Sequence, residues 1–378
     1  MSSPVDVEDL SVAVAHWGID SPGGAEAVAV AIAETLGCER IYTVGPPDER
    51  TRREYDHVEF HDVCRDLPLS PLRSAQARVD RLFEYALWED VDWRSYGPPD
   101  VLVTSGATTR AVLTPDETLH LNYCHSPPRT LYDRYHDRTA SLPGALTRPL
   151  LRYLRVRDGA LDPRVDGYLA NSPVIARRIW KYYDREAEVL YPPIDVAAAR
   201  ERERDRGDEY LHLGRLDVEK GVPELVAAFE DLDRDLAFVG PRGDVPDAVL
   251  DRIEAAPNMT YLGFVDVEEK YDRLATCRAV AFNGVQEDFG IVPIEAVASG
   301  AACLARNEGF PGLFVDDRTG LLHDGTPAGI REAVERFEAE PFDADRDLAD
   351  PFSRPAFERQ LRDTVTARYA AFDERFRA

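Results

Sequence analysis

Two glutamates, Glu287 and Glu295, bracket a strand-to-helix turn, and their residue type in that position is suited to bind a ligand rich in hydroxyl groups. They lie in the stretch EDFGIVPIEAVASG (287–300), where a loop follows an apolar strand and Pro293 is expected in the first turn of a helix. The first carboxylate can accept two sugar hydroxyls. The second, expected in that first turn, is favoured by the helix dipole and can accept two ribose hydroxyls. The alternative is a solvated loop charge at Glu287 and a Glu295 that only complements the helix N-terminus.

A pair of cations, Arg215 and Lys220, lies in the stretch LHLGRLDVEKGVPELVAAF. Gly214 closes the strand before them, and a helix is expected from residue 222. An arginine fork and a lysine charge beside a helix N-terminus form a binding site for a diphosphate. The alternative is that both cations neutralise Asp217 and Glu219 at the surface.

The first half of the chain contains two further candidates. Gly23 and Gly24, in SPGGAEAVAVAIA, separate a strand from a helix and would let backbone amides approach a ligand, although most such glycine pairs only form turns. His125 ends a strand in LNYCHSPPRTLYD, where its imidazole or carbonyl would meet a sugar. The alternative there is a histidine with a purely structural role.

The elements that must position these residues follow the rhythm of parallel sheets, because short apolar strands alternate with longer helical patterns. The pattern predicts an α/β chain of two Rossmann-like lobes, each with a doubly wound parallel sheet, and a cleft between them. We place the N-terminal lobe at 1–197 and the C-terminal lobe at 208–354. The charged stretch ARERERDRGDE (199–209) has the composition of an exposed linker or of a turn that flanks a linker. Strands are predicted within 10–19, 41–45, 100–106, 119–125, 166–172, 210–214, 236–240, 259–263, 279–284 and 302–306.

The charge of the chain excludes one class of partner. Its 45 basic and 70 acidic residues give a net charge of −25, so a nucleic-acid backbone would repel it. Only three of the basic residues are lysines (Lys181, Lys220, Lys270), and the other 42 are arginines. Scarce lysine with abundant acid predicts a halophilic source, whose salt-rich cytoplasm screens self-repulsion. The alternative is an ordinary acidic protein from a GC-rich genome.

Cysteine spacing and hydropathy bear on whether the protein is held by disulfides or zinc and whether it spans a membrane. The five cysteines are far apart and include no CxxC pair, which argues against a disulfide framework or a zinc site. The histidines and the Asp-x-Asp patterns support no metal site. No basic and apolar leader or spanning segment is evident, so we expect a cytoplasmic protein. Contact with the inner face of the cell membrane stays open, because RPLLRYLRVRD (148–158) holds four arginines; the favoured interpretation there is a helix whose arginines pair with neighbouring Asp residues.

Taken together, these stretches resemble the retaining glycosyltransferases of family 4, which have the GT-B fold. The resemblance runs in order along nearly the whole chain, and the joint order is far more specific than any single motif. HSPPRTLYD is most similar to members, often mannosyltransferases, that extend lipid-linked or cell-surface oligosaccharides. The matching stretches are GGAE (23–26), YCHSPPR (123–129), YLANSPVIARRI (168–179), VLYPPIDV (189–196), HLGRLDVEKGV (212–222), TYLGFV (260–265), EDFGIVPIEAVASG (287–300) and DDRTGLL (316–322).

The resemblance implies a role for each candidate. Arg215 and Lys220 would hold the donor diphosphate, and Glu295 would bind the nucleotide ribose. Glu287 would contact the transferred sugar. The sugar would also contact His125 and the backbone amides of the loop that follows Glu287, which are those of Phe289, Gly290 and Ile291. The phosphates and the acceptor would lie near Gly23 and Gly24. The segment 355–378 is expected to form a helix that packs back on the first lobe.

The activity implied is transfer of a hexose, of mannose or glucose type, from a nucleoside-diphosphate sugar to a hydroxyl of a glycan or lipid-linked acceptor. The donor would be a compound such as GDP-mannose or UDP-glucose. No cofactor and no metal is expected, because the cations would neutralise the phosphates. Two alternatives stay open: a nucleotide-sugar isomerase on the same architecture, and a non-catalytic subunit that binds sugar nucleotides.

Overall fold

The computed structural model describes residues 7–19, 23–68, 84–202 and 205–377. The chain divides between Pro192 and Pro193 into two compact units, and residues 357–378 return to the first. The two parallel α/β sheets predicted from the sequence are confirmed, one in each unit.

A seven-stranded parallel sheet forms the centre of the described part of the first unit, in the order β3-β2-β1-β4-β5-β6-β7. In this order β1 lies between β2 and β4, so the direction of winding reverses beside β1. His16, the last residue of β1, pairs with Ser105, the last residue of β4. The strands are β1 Val12–His16, β2 Arg40–Thr43, β3 Glu59–Asp62, β4 Val101–Ser105, β5 Leu119–Cys124, β6 Gly167–Ala170 and β7 Ala187–Val189.

Helices cover this sheet with apolar side chains. The first helix buries Val28 and Ile32 against Val14 and Leu121 of the sheet, as expected for a parallel sheet covered on its faces. The described helices of this part are α1 Gly24–Thr35, α2 Glu49–Glu54, α3 Glu84–Glu89, α4 Tyr135–Arg138, α5 Leu142–Leu146, α6 Arg148–Gly159 and α7 Pro173–Tyr183.

The described part of the second unit repeats this plan with a six-stranded parallel sheet in the order β10-β9-β8-β11-β12-β13. Here β8 lies between β9 and β11, so the winding reverses beside β8. The strands are β8 Tyr210–Leu213, β9 Leu236–Val239, β10 Met259–Gly263, β11 Ala279–Phe282, β12 Ala302–Arg306 and β13 Gly320–His323. The helices are α8 Val196–Arg200, α9 Val222–Phe229, α10 Asp247–Ala255, α11 Val267–Thr276, α12 Ile291–Ala298, α13 Pro311–Phe314, α14 Pro327–Ala339 and α15 Arg354–Arg377.

Most of α15 belongs to the first unit. Phe357, Leu361 and Val365 are buried in the same apolar core as α1. The side chain of Gln360 donates a hydrogen bond to the carbonyl of Val189, with the two atoms 2.7 Å apart.

The charged stretch 199–209 is exposed only in part, because its described arginines are half-buried and contact residues of the second unit. The division between the two units falls after Pro192, upstream of the boundary placed from the sequence. The aliphatic part of an arginine can pack along a protein surface while its guanidinium reaches a carbonyl or carboxylate. The charged composition alone does not predict such packing. The contacts are Arg200 to Asp350 at 2.8 Å, Arg202 to Asp272 at 2.9 Å and Arg206 to the carbonyl of Ser299 at 2.7 Å.

Three buried histidines predict a loss of stability in mild acid. Burial lowers the pKa of His120, His212 and His323 to about 4 each. Below pH 6.5 these histidines therefore bind protons in the unfolded chain but stay neutral in the folded chain. Each of them lowers the free energy of unfolding by about 1.4 kcal/mol for every pH unit between 6.5 and about 4. We expect urea unfolding at constant KCl to give a level stability above pH 6.5 and a steep fall below it.

The control is His212→Gln, which should lower the level above pH 6.5 through lost packing and make the fall below pH 6.5 shallower. Equal free energies of unfolding at pH 7.5 and pH 5.5 would contradict the assignment of neutral, buried rings.

Candidate functional site

The topology of the second unit brings two candidate segments together. Ligands of open parallel sheets bind outside the carboxyl ends of the strands, where the winding reverses. Because β8 and β11 are neighbours at that point, the loop that carries Arg215 and Lys220 follows one strand and the loop that carries Glu287 follows the other. The sequence placed all three residues at strand ends, and the sheet order makes these ends adjacent.

Lys220 and Glu287 form a direct ion pair between these two loops. Both side chains are partly buried, and the backbone reinforces their approach, because the amide of Val285 donates to the carbonyl of Glu219 at 2.9 Å. The alternative had Lys220 neutralise an acidic residue of its own loop, and the structure shows it in contact with Glu287 of the neighbouring loop.

Gly221 and Asn283 fix the position of Lys220. Gly221 has a φ of +68°, and a Cβ at this position would overlap Asn283, so only glycine fits. The buried side chain of Asn283 donates to the carbonyls of Gly221 and Gly325, at 3.2 and 3.3 Å. The loop before α9 is thereby pinned to the end of β11, and Lys220 has little freedom to leave the site.

Arg215 is the more exposed of the two cations. It forms an ion pair with Asp217, as the alternative interpretation expected for this residue. Burial alone would raise the pKa of Asp217, but hydrogen bonds from the amide of Asp244 and from Arg215 hold it below its usual value. Asp217 is therefore a fixed anion that orients the guanidinium beside the loop.

Glu295 lies in the second turn of α12, so its placement in the first turn was wrong. The helix begins at Ile291, two residues before Pro293, because Gly290 takes a φ of +76° and starts it early. The contribution of the helix dipole, which falls off beyond the first turn, is correspondingly small.

The partners of Glu295 are two residues that the sequence analysis did not single out. Lys270 Nζ lies 2.7 Å from Glu295 Oε1, and the hydroxyl of Tyr271 donates to the same oxygen at 3.3 Å. The carboxylate is buried, and burial together with its charge raises the pKa of Tyr271. The scarcity of lysine in the sequence could have pointed to Lys270. Two of the three lysines each pair with one of the two candidate glutamates.

The loop between Glu287 and α12 offers backbone donors. The amides of Gly290 and Ile291 have no backbone acceptor among the residues that the structure describes, as is usual at the start of a helix. The ring of Phe289 is buried and stacks on Phe310, with centroids 5.3 Å apart. Of the three residues named from the resemblance, Phe289 therefore anchors the loop, and Gly290 and Ile291 offer backbone N–H groups without a backbone acceptor among the described residues.

In the first unit, His125 is one member of a chain of hydrogen bonds at the carboxyl ends of three neighbouring strands. Its Nε2 lies 2.8 Å from the hydroxyl of Ser105, which lies 2.9 Å from Nδ1 of His16. A serine hydroxyl donates one hydrogen bond, so it can donate to one ring and accept from the other. Burial, then the nearby His16, lowers the pKa of His125 to about 3, which keeps its ring neutral at ordinary pH.

His16 and Ser105 were missed by the sequence analysis, although both end strands at the point where the winding reverses. Glu26, in the first turn of α1, lies 3.8 Å from Nε2 of His16, which is too long for a direct hydrogen bond. Burial alone would raise the pKa of Glu26, but interactions with His16 lower it. A carboxylate and two imidazoles therefore meet at this end of the first sheet.

Gly23 and Gly24 stand where α1 begins, and both are exposed. Gly23 is extended, with φ of −154° and ψ of 179°, so its backbone does not itself require glycine. The preceding residues of the motif, Ser21 and Pro22, lie outside the described residues.

Two features are absent from the described part of the chain. Within it no three His, Cys, Asp or Glu side chains are gathered closely enough to hold a metal ion. No described helix has the length and apolar character needed to cross a bilayer.

Comparison with known proteins finds similarity to glycosyltransferases, mainly in the second unit. Residues 195–351 match the family described as glycosyl transferases group 1. Over 175 residues the chain is 30% identical to the N-acetylgalactosamine-N,N'-diacetylbacillosaminyl-diphospho-undecaprenol 4-alpha-N-acetylgalactosaminyltransferase of Campylobacter jejuni, covering 43% of this chain and 47% of that protein. Over 283 residues it is 24% identical to the alpha-1,3/1,6-mannosyltransferase ALG2 of Mus musculus, covering 65% and 67%. The chain thus spans about half the length of the Campylobacter relative.

Solved structures match over a larger share of the chain. Anabaena Alr3699/HepE in complex with UDP-glucose gives a TM-score of 0.68 at 16% identity, covering 94% of this chain and all of that one. The apo lipopolysaccharide outer core galactosyltransferase WaaB gives 0.65 at 15% identity, covering 94% and 99%. At such identities the likeness concerns the fold. The chain has the two-unit fold of GT-B glycosyltransferases, and its second unit matches the glycosyl transferases group 1 family.

Proposed function

We propose that this chain is a retaining glycosyltransferase of family 4 that moves a hexose from a nucleoside-diphosphate sugar to a hydroxyl of a glycan or lipid-linked acceptor. The observation that carries the proposal is the contact between Lys220 and Glu287 where the winding of the second sheet reverses. A donor of this class presents a diphosphate next to a sugar ring, and the two side chains offer one group for each.

The diphosphate would bind Arg215 and Lys220. It competes with the carboxylate for the ammonium group of Lys220, and a dianion next to two cations outweighs a single carboxylate. Once Lys220 turns to the phosphates, both oxygens of Glu287 are free to accept sugar hydroxyls. The free amides of Gly290 and Ile291 lie in the same loop and would donate to the donor from the positive end of α12.

The reaction requires stabilisation of charge at two places. As the glycosidic bond to the diphosphate breaks, negative charge grows on the leaving group, and Arg215 and Lys220 would stabilise it without a metal ion. Positive charge grows at the anomeric carbon, next to the carboxylate of Glu287. No carboxylate is assigned as a nucleophile, so the acceptor hydroxyl would attack from the face that the diphosphate leaves.

His125 would serve this reaction as a neutral ring. Its low pKa keeps a positive charge off the ring, and the hydroxyl of Ser105 sets the orientation of the imidazole. A neutral imidazole can accept or donate a hydrogen bond to a sugar hydroxyl, whereas an imidazolium can only donate.

Glu295→Gln should weaken nucleotide binding with little effect on turnover at saturating donor. The buried carboxylate would accept two ribose hydroxyls, and a glutamine of the same size offers one neutral acceptor oxygen. The expected rise in the dissociation constant for the nucleoside diphosphate is about tenfold, of order 1.4 kcal/mol. Isothermal titration measures it, with Glu335→Gln at an exposed position of α14 as the control.

A donor panel tests the proposed function. GDP-mannose, UDP-glucose and related donors are screened by thermal shift, because a ligand that binds only the folded chain raises its apparent stability. The donor that binds is then incubated with the protein, with and without membrane extract at high salt. Transfer needs the extract, whereas an isomerase alters the donor without it and a non-catalytic subunit only binds; either of these two results would refute transfer.

A further inference from the structure

Five apolar side chains form an exposed stripe along α5 and α6. They are Leu142, Leu146, Leu150, Tyr153 and Val156, and the leucines at 142 and 146 and the valine are 79%, 77% and 73% exposed. At about 100° per residue they fall within an arc of about 120° on one helical face. Thr147 between the two helices keeps right-handed helical geometry, so the stripe continues from α5 into α6.

This stripe is not the face by which α6 packs. The opposite face carries Gly144, Leu154 and Asp158, all of which are buried. Asp158 accepts hydrogen bonds from three tyrosines and forms an ion pair with Arg110, so α6 is firmly attached on that side. A surface helix of a globular protein normally places polar residues on its outer face, and here that face is apolar.

The charge around the stripe is unusual for this chain. Residues 138–157 include five arginines and no Asp or Glu, although 70 of the 378 residues are acidic and about four would be expected in 20 residues. The interpretation in which these arginines pair with neighbouring Asp is wrong within the described residues. Arg152 has no carboxylate partner there, Arg148 and Arg155 donate to carbonyls, and Arg157 pairs with Glu89.

We propose that the stripe and its arginines dock the first unit on the surface of an anionic lipid bilayer. Apolar side chains that are more than 70% exposed protrude from the surface, so a fluid interface can accept them without a complementary groove. The tyrosine suits the level of the lipid head groups, and arginines can reach the anionic phosphates while their stems lie on the apolar region. A net charge of −25 makes a general attraction to such a bilayer impossible, so the contact must be local.

This inference deepens the proposed function, because a lipid-linked acceptor would be reached from a bilayer surface. Its test uses no donor and no acceptor, so binding and transfer can fail independently. The full-length protein is floated with vesicles of phosphatidylglycerol and phosphatidylcholine, and separately with phosphatidylcholine alone, at the lowest KCl concentration at which its circular dichroism stays native.

We expect wild-type protein to float with the anionic vesicles and far less with the neutral ones. Leu146→Ser/Val156→Ser should lower the partition coefficient at least about tenfold, because two inserted side chains are lost. Arg152→Gln should lower it about fivefold. The matched control is Val267→Ser/Arg336→Gln in the second unit, which removes a valine that is 65% exposed and an exposed arginine and should change nothing.

Three results would overturn the proposal. The first is wild-type protein that stays in the soluble fraction. The second is a Leu146→Ser/Val156→Ser variant that floats as well as the wild type. The third is an oligomer of the wild-type chain in sedimentation that is lost in this variant. The last result would assign the stripe to a second copy of the chain. Because all substituted residues are exposed, unchanged circular dichroism and urea unfolding confirm that a loss of flotation is not a loss of fold.

Discussion

Lys220→Ala lowers turnover at least tenfold, a rise in the barrier of about 1.4 kcal/mol or more. In the proposed reaction the lysine would supply a compact positive charge where the leaving diphosphate becomes more negative, and Gly221 and Asn283 hold its loop in place. The same substitution leaves Glu287 without its partner, so donor binding is also expected to weaken. Initial rates at saturating donor separate the two effects.

The chain provides its own control, because it contains only three lysines. Lys181→Ala removes an exposed lysine on α7 and should leave turnover unchanged. Lys220→Arg retains the positive charge on a larger, planar group and should recover only part of the lost rate. Full transfer activity in an Arg215→Ala/Lys220→Ala variant would refute the assignment of the diphosphate site.

Asp158→Ala is expected to cost about 3–5 kcal/mol of stability in the first unit. The guanidinium of Arg110 is 1% exposed and the carboxylate of Asp158 is fully buried, so removal of the carboxylate leaves a buried charge unpaired. Nearby charges and the Tyr168 hydroxyl hold the pKa of Arg110 well above its usual value despite burial, so the group cannot escape by losing its proton. Three tyrosine hydroxyls lose their acceptor at the same time.

Urea unfolding at constant KCl measures this loss. Glu59→Ala is the matched control, because Glu59 pairs with Arg40 at 2.8 Å on the exposed surface and should contribute less than about 1 kcal/mol. Arg110→Met/Asp158→Leu removes both charges and should lose less stability than Asp158→Ala alone. Equal losses in the single and double variants would show that packing, and not the unpaired charge, sets the effect.

The central strands could be predicted from the sequence, and several edge strands could not. Strands such as β8 and β11 are buried on both faces, so they are continuous apolar runs. The strands β3, β7 and β13 were missed, and all three lie at sheet edges, where one side is free. Glu59–Asp62 shows why: its sequence EFHD has no apolar run, and its place in the sheet is set by pairing with β2.

The site was predicted in part for the same physical reason. Strand ends mark where ligands bind, so Arg215, Lys220 and Glu287 could be named without knowledge of the sheet order. Their pairing could not, because it depends on β8 and β11 being neighbours although 65 residues lie between Leu213 and Ala279 along the chain. Lys270 and Tyr271 were missed because they reach Glu295 from α11, a helix without a motif of its own. The roles of all these residues stay predictions.

The contact between Lys220 and Glu287 has a consequence for selectivity. In this contact each charge satisfies the other, so neither would be available to a ligand that offers only half of the proposed chemistry. A free anion that binds Lys220 would leave the carboxylate of Glu287 without its partner. A free sugar would have to compete with Lys220 for the same carboxylate. A molecule that joins both parts by a covalent bond compensates both losses at once. Small phosphates and sugars, which are abundant in any cell, are therefore poor competitors for this site.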